Sequence, residues 1–543
     1  MNRGNKRFIN GLTDSESDEN CTNENNFNRR KRRINVIYSS SESETELTQE
    51  VDNTNCEVKW SNNYFVPKIH RFNPKHSGIT NQIRLSSQII DYFQLFISDE
   101  LVDIIVEESN YYLAQKTNNN TNNQEQTTRN EMYCFLATSL LMTRNKKLSL
   151  KEYWSTDDFL RSDIFGKIMT RDRYFLLLRI LHFSHEPGCI GDRLIKIKRI
   201  FDIIRHSFNA AFVPYQELCI DESLLLYKGR LSFKQYIPKK KNRFGIKSFI
   251  LCDCKTGFVQ DIIIYTGAST VADSPIKGIG KSGAIVLQLL KTYLGKGHTL
   301  YVDNFYSSPA LFSLLFANRT NACGTVTKRR QGMPKIENKL ERGELSFRSS
   351  ENLLVLKWMD KREVYMISTM HTADVMTVSR HRGRQSVQKP VCIVDYNNSM
   401  GIVDKVDMVI SSVDSTRKTL KWYRKFFFHL IDICVWNAYC LYKHKRNATI
   451  SMANYQLQLI KQICDKYHKD YINRQVRKND YPMRLTERHF PSLFVSKRKN
   501  RSRRCVVCSK NDKRSESRYE CKECNVGLCI NQCFKIYHTQ LYY

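Results

Sequence analysis

Apolar residues along this chain recur first with a helical period and then with a strand period. From Ser86 to Phe183 the spacing predicts helices. "SSQIIDYFQLF" leads into "SDELVDIIVEESNYYL", where Ser98 or Asp99 can cap the second helix by accepting from its free N–H groups. A loop rich in Asn, Gln and Thr, "KTNNNTNNQEQTTRN", separates these from "EMYCFLATSLLM", and "TRDRYFLLLRILHF" predicts a further helix with Thr170 as its cap. After Pro214 the period changes. "QELCID" is a short apolar run ending at Asp221, and "SFILCDCKTGFVQDIIIY" predicts two strands joined at Lys255-Thr256-Gly257. "KSGAIVLQLLKTYLG" sets Ile285, Val286, Leu289, Leu290 and Tyr293 on one helical stripe, with Ser282 near its start and Gly295 after its end. "HTLYVD" is the next strand, closing at Asp303, and "SSPALFSLLF" predicts a helix capped by Ser308 with Pro309 in its first position.

Farther on, residues 325–391 carry strands such as "ELSFRS", "NLLVLKW" and "EVYMIS" between charged turns, which predicts a β-rich insertion. "PVCIVDYNNSMGIVDKVDMVIS" returns to strand, loop and helix, and a basic helical region is expected from about Asp404 to Lys445. The longest apolar stretch, Phe426–Tyr442, contains His429, Asp432 and Asn437. A membrane span needs about 20 mostly apolar residues, so a buried helix is expected and no membrane partner. Residues 1–77 are polar, with acidic serine clusters "DSESDEN" and "SSSESETE" around the basic run Arg29–Arg33. So little apolar surface cannot offset the entropy of ordering, which predicts a disordered tail. The serines have the form of phosphorylation substrates; the basic run is either a nuclear import signal or a solvated charge run.

Charge adds a partner to this picture. The 543-residue chain, long enough for several domains, has a net charge of +32, which points to a polyanion. The excess is densest over 417–504. There, Arg417, Lys418, Lys421, Arg424 and Lys425 lie mostly off the apolar face formed by Leu420, Tyr423, Phe427, Leu430 and Ile431. Lys239, Lys240, Lys241 and Arg243 form a second cluster, close in sequence to Asp221. Both are candidate contacts to DNA phosphates, which position a duplex without reading its bases.

Eighteen cysteines without a visible secretion signal predict a reducing compartment. Six of them form three pairs, Cys505/Cys508, Cys521/Cys524 and Cys529/Cys533, followed by His538. Thiolates at this spacing chelate tetrahedral zinc, and metal binding would largely fold so small a module. One or two structural Zn2+ ions are expected, arranged as a cross-brace if there are two. Seven ligands are visible; the eighth is open between another residue, water and an incomplete second site. Related cross-braces serve ubiquitin transfer and histone-tail reading, while the basic lead-in "SKRKNRSRRC" favours DNA and a second nuclear signal.

Asp221, Asp303, Asp404 and Asp407 are the candidate catalytic carboxylates. The first two end strand-like runs, and the last two share one helical face. Each alone is better read as a cap or turn residue; gathered, they would need cations, and paired Mg2+ ions would serve phosphoryl transfer. Here the residues carry a resemblance. "LCIDESLLLYKGR", "FGIKSFILCDCKTGFV", "LYVDNFYSSPALFSLL" and "GIVDKVDMVISS" resemble blocks of the piggyBac-type DNA transposases, over roughly residues 85–540. The resemblance implies an α/β RNase H-like catalytic core interrupted by a β-rich insertion and flanked by helical regions for DNA binding and dimerisation. It implies a small C-terminal cysteine-rich zinc domain that contacts transposon ends. It further implies that Asp221, Asp303 and Asp404 are the metal-binding triad for two Mg2+ ions, with Asp407 a fourth required acid. Glu222 and Asn304 beside them are open between supporting and packing roles. The implied activity is excision of transposon ends through hairpin intermediates and joining to TTAA target DNA, by a homodimer imported into the nucleus. Two other readings stand beside it: a domesticated nuclear DNA-binding protein, and a chromatin or ubiquitin module led by the cysteine domain. The expected divisions are a tail 1–77, helical region 78–215, core 216–324, insertion 325–391, core 392–410, basic helical region 411–496 and zinc domain 497–543.

Overall fold

The computed structural model describes residues 58–80, 88–116, 126–185, 192–238, 243–267, 270, 279–380, 384–416, 419–468, 485, 488–494 and 502–540. The acidic serine clusters, Arg29–Arg33, Lys239, Lys240, Lys241, Arg417 and Lys418 lie outside the described residues.

Glu217–Leu226, Phe244–Asp253 and Val259–Ile264 form an antiparallel meander. The second turn is tight because Thr256 donates its N–H (2.8 Å) and its hydroxyl (2.6 Å) to Asp253, while Gly257 takes φ +78°. On the other side of Glu217–Leu226, Thr299–Val302 and Asn321–Thr325 add in parallel. Parallel neighbours need a crossover, and helices Gly280–Leu290 and Pro309–Ala317 provide the two. Ser308 caps the second by accepting from the Leu311 N–H at 3.2 Å. The first stops at Leu290, well before Gly295. The five strands therefore lie in the order third, second, first, fourth, fifth, the RNase H-like arrangement that the resemblance implies.

Side chains alternate across such a sheet. Leu218, Ile220, Leu300 and Val302 pack in the core with the crossover helices, whereas Cys219, Tyr301 and Cys323 belong to the core shared with the helical layer. That layer joins the chain on both sides of the sheet. Ile89–Gln94 packs on Trp422–Arg446 and on Met452–Tyr467, which also covers Arg129–Arg144, and Tyr133 stacks on Tyr467 at 4.0 Å. Ser98 helps cap Asp99–Lys116 by accepting from Leu101 N–H at 3.3 Å. Trp422–Arg446 is buried around its whole girth from Tyr423 to Leu441, as expected for a core helix. Among the described residues no helix is long and apolar enough to cross a membrane. The helical region expected from Asp404 to Lys445 is two helices, Ile402–Ser412 and Trp422–Arg446, and Leu420, outside both, is 89% exposed.

The β-rich insertion extends the core sheet: Glu363–Ser368 pairs with Asn321–Thr325, and Leu354–Met359 and Leu345–Ser349 follow it in the same sheet. Val375–Arg380 and Arg384–Pro390 form a hairpin of their own. Residues 58–77, expected to be disordered, are a strap held along the core. Ser61 bridges Ser349, Trp60 Nε1 donates to the Gly332 carbonyl at 3.0 Å, and Phe65 is buried. Asn321, itself buried, accepts from the His70 N–H and donates to the His70 carbonyl, both at 3.0 Å. The strap runs so close to Gly297, at φ +80°, that a Cβ there would meet the Arg71 carbonyl at 2.1 Å. Local polarity misleads here because the partners of this backbone are supplied by distant residues.

Asn321→Ala leaves the His70 amide and carbonyl without these partners in a partly buried setting, at a cost toward the low end of about 1–3 kcal/mol. Urea unfolding should show that loss, together with faster proteolysis within residues 58–80; unchanged stability and protection would refute the strap's dependence on Asn321.

Candidate active site and metal module

Glu217–Leu226 and Thr299–Val302 pair with Ile220 opposite Val302. The next residues, Asp221 and Asp303, therefore stand level on neighbouring strands, which lie about 4.8 Å apart. Asp303 ends its strand as expected and accepts from the Phe305 N–H at 2.9 Å. Asp221 does not end its strand: pairing with Phe244–Asp253 carries the run on to Leu226. Asp221, Glu222 and Asp303 each bring a carboxylate oxygen within 4.8 Å of the others, and all three are half-buried. Glu222 completes this group, and its N–H donates to Asp221 at 2.8 Å. Adjacency to Asp221 was the one signal of it in the sequence.

Helix Ile402–Ser412 packs against the first two core strands. Its Asp407 accepts from the Ser223 hydroxyl at 2.8 Å, and Ser223 shares the Asp221 face of its strand. Asp404 is exposed on the same helix and lies outside the group of three. Beside the acids, the Tyr306 hydroxyl is buried and has no hydrogen-bond partner among the described residues. Burial first, and then the charges of Glu222, Asp221 and Asp303, hold its pKa well above the ordinary tyrosine value. All-oxygen donors with concentrated negative charge suit a hard divalent cation.

The basic candidates divide. Arg243 and Lys421 are exposed, and Lys425 is half-buried, with desolvation lowering its pKa. Arg424 is a correction: it is buried, and its guanidinium donates to the carbonyls of Leu181 (3.0 Å) and Arg179 at the end of helix Arg171–Ile180. Its donors close that helix end and are not presented to DNA.

In the C-terminal module the ligands fall into two groups of four. Cys505, Cys508, Cys529 and Cys533 form one; Cys521, Cys524, His538 and His489 form the other. The sequence order interleaves them, so the arrangement is a cross-brace. Tetrahedral zinc with Zn–S about 2.3 Å and Zn–N about 2.0–2.1 Å implies sulfur–nitrogen edges near ~3.6 Å and sulfur–sulfur edges near ~3.8 Å. His489 Nδ1 lies 3.4 Å and 3.6 Å from the sulfurs of Cys521 and Cys524, and His538 Nε2 lies 3.6 Å from Cys524. Cys508 is 3.6 Å from Cys533 and 3.9 Å from Cys529. Both donor sets fit zinc. The His538 Nδ1 bonds the Phe534 carbonyl at 2.8 Å, which presents Nε2 to the ion. His489 stands in the eighth donor position that the sequence left open, carried in beside the strand Pro491–Leu493, which pairs with Tyr519–Cys521. The module thus includes residues upstream of 497.

A family profile described as Transposase IS4 matches residues 90–439, and one described as a DDE_Tnp_1-like zinc finger matches residues 485–539. Human PiggyBac transposable element-derived protein 3 is 24% identical over 470 residues, covering 83% of this chain and 76% of that protein. Human PiggyBac transposable element-derived protein 2 is 25% identical over 373 residues, covering 65% of this chain and 61% of that protein. Among solved structures, a piggyBac transposase synaptic complex with hairpin DNA superposes with a TM-score of 0.68 at 22% identity, over 83% of this chain and 97% of that one.

His489→Ala should lower the zinc content of the full chain from two ions to about one, measured by atomic emission after dialysis; two retained ions would remove His489 from the site. Arg424→Met should cost about 1–3 kcal/mol of stability, because the buried Leu181 carbonyl and the partly buried Arg179 carbonyl lose a charged donor. Denaturant unfolding checks this, and weakened DNA binding at unchanged stability would reverse the assignment.

Proposed function

The chain belongs to the piggyBac-type transposase family, and on that premise we propose that it is a cut-and-paste DNA transposase acting as a nuclear homodimer. The observation that carries the reading is the register at the centre of the sheet, which sets Asp221 and Asp303 each one residue beyond the paired Ile220 and Val302, with a helix bearing Asp404 and Asp407 packed beside that strand. In this reading Asp221, Asp303, Asp404 and Asp407 hold two Mg2+ ions, with Glu222 a further oxygen donor. Those ions supply activation of the attacking oxygen and charge stabilisation at phosphorus. Asp221 and Asp303 are aligned by the sheet, and Ser223 orients the Asp407 carboxylate. Each step is an in-line displacement at phosphorus, so one site can cut a strand, form and open a hairpin, and join the end to TTAA target DNA. The hairpin DNA bound by the structural relative supports that sequence of steps. Exposed Arg243 and Lys421, with Lys239, Lys240, Lys241, Arg417, Lys418 and Lys425, take DNA phosphates. The zinc module grips transposon ends, and Arg29–Arg33 engages the import machinery.

A second reading has its own support. The similar human proteins are named as transposable element-derived, which fits a domesticated DNA-binding protein without transposition; the retained acids favour the active enzyme.

A reporter element carrying the gene's own flanking ends should be excised in cells with clean TTAA repair. Asp303→Asn keeps the side-chain shape and removes a charged ligand. Supporting ligands of metal sites alone are worth 10–100-fold, so the loss should be at least roughly 100-fold. Equal excision by both proteins would sink the Asp303 assignment. Binding to the ends without excision by the wild type would select the domesticated reading.

A further inference from the structure

Lys247 sits on Phe244–Asp253 opposite Leu224, and Phe249 on the same strand sits opposite Glu222. Alternation places Lys247, Phe249 and Glu222 on one face, and diagonal neighbours on such a face are about 7–8 Å apart. Lys247 is only 5% exposed. Its ammonium lies over the Phe249 ring at 4.9 Å and the Phe305 ring at 4.6 Å. Among the described residues it has neither a carboxylate partner nor a hydrogen bond. Two aromatic faces offset part of the cost of burying this charge. A methionine of the same length would fill the space without that cost, so packing does not account for the charge.

The position of those rings ties the lysine to the acids. Phe305 follows Asp303 by one short turn and donates its N–H to the Asp303 carboxylate at 2.9 Å. Phe249 and Phe305 are stacked with centroids 6.3 Å apart, and Tyr306 stands edge-on to both. Glu222 and Asp303 belong to the same group of three acids. The lysine ammonium thus shares the sheet face of Glu222, one member of the anionic site, with the Phe249 and Phe305 rings packed against it. A ligand that satisfies both carries negative charge at regular intervals, one charge for the cations held by the acids and the next for the ammonium. A DNA backbone has that spacing of charge.

We propose that Lys247 is a phosphate-binding residue: its ammonium pairs with non-bridging oxygens of the DNA phosphate adjacent to the one at the acidic site. This rests on the transposase reading. Phe249 shields the ammonium stem, and the half-buried Phe305 at the rim is the ring that the strand displaces.

The test compares wild type, Lys247→Met and Lys247→Arg as full-length, zinc-loaded protein. Binding to a hairpin-ended duplex is measured by anisotropy in Ca2+ across a salt series, and thermal unfolding is measured without DNA. Free Lys247→Met should unfold no earlier than wild type, while its affinity falls roughly 10-fold and its salt slope loses about one unit. Lys247→Arg should retain the slope. Equal affinity and slope in Lys247→Met overturn the proposal. So does a free Lys247→Met that unfolds early, with Lys247→Arg restoring stability but not affinity, since that is a structural role. Failure of the wild type to bind the hairpin overturns it as well. Cleavage of the flanking ends in Mg2+ is followed in parallel. Its absence, with the slope difference present, overturns the enzyme and leaves the phosphate site standing.

Discussion

The parallel pairing of Glu217–Leu226 with Thr299–Val302, Ile220 opposite Val302, is the constraint on which the acidic site depends. Those strands are buried on both faces, so their register is held by packing rather than by the carboxylates. A slip of one residue would turn Leu218 and Ile220 out of the layer under the crossover helices and carry Asp221 to the opposite face. Like charges repel at this distance. The apolar core supplies the force that keeps Asp221 and Asp303 together, and it does so before any cation arrives.

Around that register the rest of the chain acts as support. The Glu217–Leu226 strand continues past Asp221 to Ser223, whose hydroxyl reaches Asp407 on the covering helix. Phe305 and Tyr306, on the turn after Asp303, wall the acids with aromatic surface, and Phe305 meets the ammonium of Lys247. The insertion extends the same sheet, and the strap 58–80 crosses its far end through Asn321 and Gly297. The catalytic candidates therefore lie in the middle of a continuous sheet, away from its edges. The zinc module follows a different principle. Its apolar cluster is small, comprising Cys505, Val507, Cys521, Val526, Leu528 and Tyr537, so metal ligation supplies what hydrophobic burial lacks.

Much of the fold was legible by period alone. The strand alternation, the hairpin at Lys255-Thr256-Gly257, the Ser308–Pro309 helix start and the buried character of Phe426–Tyr442 all follow from local chemistry, because each is decided within a few residues. The paired cysteines announced their metal for the same reason. The motif blocks around Asp221, Asp303, Asp404 and Asp407 pointed to the family.

What local chemistry could not decide was every feature set by residues distant in sequence. His489 lies far from the paired cysteines and reaches the second zinc group only through strand pairing. Glu222 joins Asp221 and Asp303 because two strands come level, while Asp404, three residues before Asp407, is exposed and lies outside that group of three. Arg424 has the sequence context of a phosphate contact, yet the end of a neighbouring helix consumes its donors. Sequence by itself determined which elements form and which residue types carry chemistry, since period, caps and spacing act locally. Tertiary structure alone decided which of those residues meet and which are buried, because register and packing are set by the whole core.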